Sequence, residues 1–340
     1  MHRYSNEIMK NNSLQCLYLI LFFFSTSAVF FAQDKGQIAF KINEPDLIPE
    51  GIAHDSKTKD FYVGSTYKRK IVRIDKNGKV SDFTAEAQDG LRSVLGMRVD
   101  AKRRILWAVS EHAGGTVPFK GMTKDCLGCS DVFKYDLKTG KLLKKYSLSN
   151  QPNPHFLNDL TINKQGDVFL TDTITGEIYF ISYKNDKLEP IHTFEKNTYP
   201  NGVDLSSDGK RLFVGLEGNI AVINLENKKS FNLKMPDGVK VGSIDGLYFH
   251  RNSLIVVHPF EEGRKIVRYY LNENQDAVTR TETIEANHKL FLQPTTGAIV
   301  ENNFYYIANS QLQLFRGMFK PDGSFDRSKL SNVLILKIAL

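Results

Sequence analysis

The chain has 340 residues, of which 41% are hydrophobic and 11% aromatic, and it carries a formal charge of +7. That apolar content is enough to bury a large core within one domain. The basic residues are dispersed, the densest runs being Lys68-Arg69-Lys70 and Lys144-Lys145. No basic stripe with interleaved aromatics appears, which argues against a nucleic-acid partner.

The first element is a targeting segment. Arg3 and Lys10 form a positive start, Leu17 to Ala32 is uncharged and almost wholly apolar, and small residues lie at Ser25, Ser27 and Ala28 before Phe31-Ala32-Gln33. This pattern reads as a secretory signal peptide over residues 1–33. The apolar run falls short of the ~20 residues of a spanning helix, which favours cleavage over a retained anchor. The expected mature protein is residues 34–340, periplasmic or secreted, with no stable membrane insertion. Two cysteines remain in it, Cys126 and Cys129, inside an insertion from Ala113 to Ser130. In an exported chain such a pair reads as a small disulfide that stiffens a loop; a zinc half-site would need a second pair.

Beyond a β-like run at Gln37–Ile42, one phrase recurs six times: Pro49-Glu50-Gly51-Ile52-Ala53, Val94-Leu95-Gly96-Met97-Arg98, Leu157-Asn158-Asp159-Leu160-Thr161, Pro200-Asn201-Gly202-Val203-Asp204, Ile244-Asp245-Gly246-Leu247-Tyr248 and Thr295-Thr296-Gly297-Ala298-Ile299. Each copy opens an apolar run, and each run leads through a turn into a second β-rich run such as Phe61-Tyr62-Val63 or Leu254-Ile255-Val256. Short strands at a period of roughly 45–60 residues predict an all-β fold, a six-bladed β-propeller with one blade per copy. In the first blade the strands fall at Gly51–His54, Phe61–Ser65, Lys70–Asp75 and Lys79–Phe83, with Asn77-Gly78 as a tight turn. Thr139-Gly140, Gln165-Gly166 and Asp208-Gly209 are equivalent turns. No amphipathic helix of three turns is visible. The sixth blade ends at Val333–Leu340 one strand short, so Gln37–Ile42 is expected to supply that strand and close the ring, removing an exposed edge. A closed ring of this kind is expected to be a monomer.

Alignment of the repeats also aligns candidate site residues. In a propeller the inner strands start around a central channel, so Glu50, Asn158, Asn201 and Asp245 are expected to converge. Two carboxylates and two amide oxygens make a hard site suited to Ca²⁺, with Mg²⁺ or Zn²⁺ as alternatives. A second ring, at the ends of the second strands, holds Ser65, Ser110, Asp172, Leu216, His258 and Ala308. Asp172 and His258 are the candidates there for a general base or a substrate contact; the plainer reading is that Asp172 ties down a loop and His258 is packed. His112 is a further candidate beside the insertion.

These phrases, together with Thr171-Asp172-Thr173, resemble the gluconolactonase / senescence marker protein (regucalcin)-like superfamily of six-bladed propellers, related to paraoxonase and diisopropylfluorophosphatase. The resemblance spans about Asp34 to Leu340. It implies a catalytic divalent metal held by Glu50, Asn158, Asn201 and Asp245, hydrolysis of lactones, esters or phosphotriesters, and Asp245 as the residue activating the nucleophile. Two positions depart from the pattern: Leu95 stands where paraoxonases have a histidine, and Phe156 where gluconolactonase-like members often have an arginine. These two are expected to form an apolar wall favouring a less polar substrate. The expected function is therefore a Ca²⁺-dependent lactonase or esterase acting on a small molecule. Its rivals are a non-catalytic binding propeller with structural calcium and a metal-dependent phosphotriesterase.

Overall fold

Runs of β-branched and aromatic residues separated by two-residue turns pair first with their chain neighbours, because a short loop costs the least closure entropy. At four such turns Gly78, Gly140, Gly166 and Gly209 take φ of +83°, +67°, +96° and +72°, values that only glycine adopts without strain. The computed structural model describes residues 35–112, 118–123, 125–149, 151–260 and 263–340; the leader at 1–33 lies outside them. These residues form six four-stranded antiparallel sheets.

The first blade comprises Pro49–His54, Phe61–Ser65, Ile71–Ile74 and Val80–Asp82, and the second Ser93–Asp100, Ile105–Glu111, Ser130–Asp136 and Leu142–Ser147. Leu157–Ile162, Val168–Asp172, Glu177–Ile181 and Leu188–Thr193 make the third; Val203–Leu205, Arg211–Leu216, Asn219–Asn224 and Ser230–Asn232 the fourth. The fifth is Leu247–His250, Ser253–His258, Lys265–Leu271 and Val278–Ala286. In the sixth, Gly297–Val300, Asn303–Ile307 and Val333–Ala339 are followed on the outside by Gln37–Ile42, which pairs antiparallel with Val333–Ala339.

Second strands such as Val168–Asp172 are buried along their whole length, since both of their faces meet a neighbouring sheet. Outermost strands such as Leu142–Ser147 alternate between covered and exposed positions. The core is accordingly six apolar clusters each shared by two adjacent blades, with a seventh around Tyr67 and Phe315: Trp107 and Leu160 join blades two and three, Phe213 and Leu254 join four and five, and Ile42 and Ile335 pack with Val63 between six and one. Among the described residues helix is confined to Leu312–Met318 and short single turns. Among the described residues no helix is long and apolar enough to cross a membrane.

Candidate active site

Every inner strand begins with a two-against-one irregularity at the repeated phrase. The register slips between Pro49 and Ile52, between Val94 and Met97, and between Leu157 and Leu160. In the fourth blade Asn201 N donates to Gly215 O at 2.9 Å while Gly215 N donates to Gly202 O at 2.8 Å; in the fifth, Asp245 N donates to Val257 O at 3.0 Å and Val257 N to Gly246 O at 2.9 Å. Such a bulge re-aims one side chain out of the pleat. Glycine follows because the inner strands touch backbone to backbone: a Cβ on Gly51 would overlap the Leu95 carbonyl, and one on Gly202 the Asp245 carbonyl.

Hydrogen bonds and these close approaches link the six starting positions into a circle. Thr295 and Thr296 donate their hydroxyls to Glu50 O, and Thr171 Oγ1 donates to Asn201 O at 2.7 Å. Asn158 Nδ2 donates to Thr173 Oγ1 at 3.0 Å, and Thr173 Oγ1 donates to Pro200 O at 2.7 Å; with Nδ2 held there, Asn158 Oδ1 points the other way. Gly246 N reaches Thr295 O at 3.3 Å.

The circle is electrostatically unfinished. Glu50 Oε2 and Asn201 Oδ1 are buried and have no hydrogen-bond partner. Burial, followed by the charges of Asp245, Asp159 and Glu111, pushes the Glu50 carboxyl far above its usual range. Burial and then Asp159 push Asp245 up to about 7. An all-oxygen donor set holding two destabilised carboxylates fits a hard divalent cation. No group of three or more His, Cys, Asp or Glu side chains converges as a metal cluster among the described residues; two of the four candidates here are amides.

Two further charged residues, which the repeat alignment passes over, lie beneath this circle. Asp159 occupies the position that is glycine in the other five copies. Its Oδ2 faces Arg98 Nη2 at 3.5 Å, and neither atom has a hydrogen-bond partner. Burial works against the Arg98 charge, yet Asp159, Tyr248 and Asp204 outweigh it and hold the guanidinium ionised. Arg98 also lies 5.1 Å from the centre of the Tyr248 ring. At this level the repeat places Ala53, Arg98, Thr161, Asp204, Tyr248 and Ile299, so the departure of one column from glycine and of the next from neutrality was the available signal.

The second ring is complete in itself. Asp172 is fully buried, and its Oδ1 accepts from the backbone N–H groups of Phe156 and Ile174 at 3.1 Å and Thr175 at 3.2 Å. Its Oδ2 meets His155 Nδ1 at 2.7 Å, a partner that sequence reasoning missed. His258 is fully buried with Nδ1 2.9 Å from Ser243 O and Nε2 3.0 Å from Tyr269 Oη. A carbonyl can only accept, so Nδ1 carries a proton, while Nε2 shares a hydrogen bond with the tyrosine hydroxyl. Asp172 is thus held by three backbone N–H groups and His155, and His258 is packed with both nitrogens engaged. His112 is likewise tied, Nε2 to Thr123 O at 2.7 Å. Leu95 is buried in the cluster between blades two and three with Phe156 half-buried against it, so the apolar wall expected of them goes into packing. Cys126 and Cys129 are joined, and the Gly128 carbonyl between them accepts from His155 N at 2.9 Å.

No family model matches the chain, and no curated protein matches it. Solved structures define its class as a six-bladed β-propeller. Among them are a gluconolactonase from Xanthomonas campestris (12% identity, TM-score 0.57, covering 90% of this chain and 95% of that one) and virginiamycin B lyase from Staphylococcus aureus (16%, 0.56, 88% and 87%). A third is the PQQ-bound form of an aldose sugar dehydrogenase from Streptomyces coelicolor (12%, 0.59, 90% and 98%). Likeness at this identity establishes the fold; lactonase, lyase and dehydrogenase chemistry all sit on it.

Proposed function

We propose that the chain is an exported, divalent-cation-dependent hydrolase of lactones or related carboxylic esters. The observation that carries this reading is the pair of buried acceptors without partners, Glu50 Oε2 and Asn201 Oδ1, in one circle with the Asp245 carboxylate. Glu50, Asn158, Asn201 and Asp245 are the residues we assign to the cation, Ca²⁺ ahead of Mg²⁺ or Zn²⁺ because every donor is a hard oxygen. When bound, such an ion supplies Lewis-acid polarisation of a carbonyl.

The chain's own residues do the rest. Thr173 holds Asn158 in orientation, and the Thr295 and Thr296 hydroxyls hold the Glu50 backbone. Asp245 is the group we assign to take the proton from water; its carboxyl is pushed up to about 7 in the cation-free chain, and a bound cation would keep it ionised and ready to accept. Arg98 and Asp159 close the channel below as a charged plug. Pairing of Gln37–Ile42 with Val333–Ala339 is the lock we assign to the ring. Export rests on the leader at residues 1–33.

The test is pH-stat hydrolysis of a lactone and aryl-ester panel by residues 34–340, in excess Ca²⁺ and after chelation. Calcium-dependent turnover of any member supports the reading. Folded protein that binds Ca²⁺ and turns nothing over ends it in favour of a binding propeller; turnover of phosphotriesters alone would point to the phosphotriesterase.

A further inference from the structure

Eight large apolar side chains are exposed among the described residues. Ile38, Leu143 and Phe231 lie on outermost strands, and Tyr183 lies at the far end of the ring with the Arg103 guanidinium 4.5 Å from its ring centre. The other four are Leu127, Ile174, Tyr199 and Phe260, which are 57%, 51%, 48% and 53% exposed. They belong to blades two, three, four and five in succession, and each sits on a loop at the end where the inner strands begin.

Each is also tied to the circle of oxygen donors. Ile174 follows Thr173 and Tyr199 precedes Pro200, the two residues whose hydrogen bond orients Asn158. Leu127 stands in the Cys126–Cys129 hairpin, whose Gly128 carbonyl holds His155 N, three residues before Asn158. Phe260 is two residues beyond His258, which bonds to Ser243 O, two residues before Asp245. Blades one and six differ. There the helix Leu312–Met318 and its flanks cover the loops, with Tyr67 packed on the rings of Phe315 and Phe325 at 4.9 and 5.2 Å. The mouth thus has a closed side and an apolar side around a polar well.

We propose that Leu127, Ile174, Tyr199 and Phe260 form the subsite for the apolar body of the substrate, whose single polar head reaches the oxygen circle. The substrate class is then a lactone or ester bearing a medium or long acyl or aryl group, not a polyhydroxylated lactone. This rests on the hydrolase reading above. In the reaction, water oxygen bonds to the acyl carbon, the acyl C–O bond breaks, and a water proton passes to the released alkoxide, with no change of oxidation state. Scattered exposed apolar residues are ordinary; four on successive blades, at one end of the ring and each on a loop hydrogen-bonded toward a donor of the circle, point to a ligand surface. A small molecule is favoured over a membrane because the rim borders buried acceptors that a bilayer would leave unpaired.

The experiment uses residues 34–340 and a chain-length series of lactones and aryl esters, together with saturation-transfer NMR of 2-undecanone, a ketone that cannot be hydrolysed. The rim variant is Ile174→Ser with Tyr199→Ser. Both sites are exposed, and an unchanged Tm verifies its fold. We expect kcat/KM to rise at least tenfold from short to medium chains in the wild type, and the ratio of medium-chain to short-chain kcat/KM to fall towards one in the variant. We also expect saturation of the ketone chain protons in the wild type only. Turnover with no chain-length dependence overturns the rim. Ketone binding that depends on the rim, with no turnover of anything, upholds the rim and ends the hydrolase reading. Binding to phosphatidylcholine vesicles without ketone binding overturns the proposal and makes the rim a membrane face.

Discussion

The two rings at the mouth are built from the same repeat, 12 to 15 residues apart in the chain, and they differ in one respect. In the second ring the charged and polar groups have their partners: Asp172 accepts three backbone N–H groups and meets His155, and His258 has both nitrogens engaged. In the first ring Glu50 Oε2 and Asn201 Oδ1 have none, and the Glu50 and Asp245 carboxyls are pushed upward. Buried polar groups in a stable protein are almost always satisfied. A satisfied ring holds loops in place, whereas an unsatisfied one is built for something that arrives later. The presence of a carboxylate does not separate the two, since both rings contain one.

The comparison breaks first at Asp172. Asp172→Ala would strand three backbone donors, and at about 1–3 kcal/mol each it should cost roughly 5 kcal/mol of stability. Urea unfolding in chelator measures this; a loss under about 1 kcal/mol would mean the second ring is not structural. Next is Arg98→Met, which leaves the Asp159 carboxylate buried without its cation. Breaking a buried pair from one side costs roughly 3–5 kcal/mol, and we expect about 4. Asp159→Asn in the same background should restore most of it.

The first ring should respond with the opposite sign. Asp245 ionises at about 7 in the folded chain against 3.8 as its ordinary value. Between those values the folded state holds a proton that the unfolded state has released, so stability without a cation falls as pH rises and levels off above about 7. Asp245→Asn removes that fall and should make the cation-free protein more stable at pH 8, by about 2–3 kcal/mol after allowance for coupling with Glu50. Ca²⁺ competes with the same proton, so its effect on wild-type Tm should be absent near pH 4 and largest above pH 7, and lost in Asp245→Asn. Equal Ca²⁺ stabilisation at both pH values would remove the first ring from consideration as a cation site.

The blades were legible because they rest on local signals: a strand, a two-residue turn and a repeat that counts to six. The positions of Glu50, Asn158, Asn201 and Asp245 were legible for the same reason, since a register shared by every blade maps one column onto one circle. Satisfaction is not local. The partners of His258 are a loop carbonyl at Ser243 and a hydroxyl on the neighbouring strand at Tyr269, and nothing in the stretch around His258 announces either. Asp172 and His155 meet across a hairpin, and Arg98 and Asp159 across two blades. For the last pair a mark did exist, an aspartate in a column of glycines. The rim was unreadable for another reason: Ile174 and Phe260 each follow a second-ring position by two residues, but Leu127 and Tyr199 lie in loops that no repeat aligns, and exposure is not written in any of them.

The smallest expected effect sharpens the comparison from the side of the loops. The Cys126–Cys129 bridge closes a loop of only a few residues, so the chain-entropy argument allows it about 2 kcal/mol at most. Its hairpin nevertheless holds the backbone at two places: Gly128 N donates to His112 O at 2.8 Å, and His155 N donates to Gly128 O at 2.9 Å. His155 is the partner of Asp172, so the bridge belongs to the satisfied ring. Cys126→Ser with Cys129→Ser should lower Tm by a few degrees and leave Ca²⁺ affinity unchanged within a factor of about two, because no cation donor sits on that hairpin. Calorimetric titration of Ca²⁺ into oxidised and doubly substituted protein decides it. A tenfold weaker affinity would show that the second ring positions the first through Phe156 to Asn158, and the two would then have to be treated as one device.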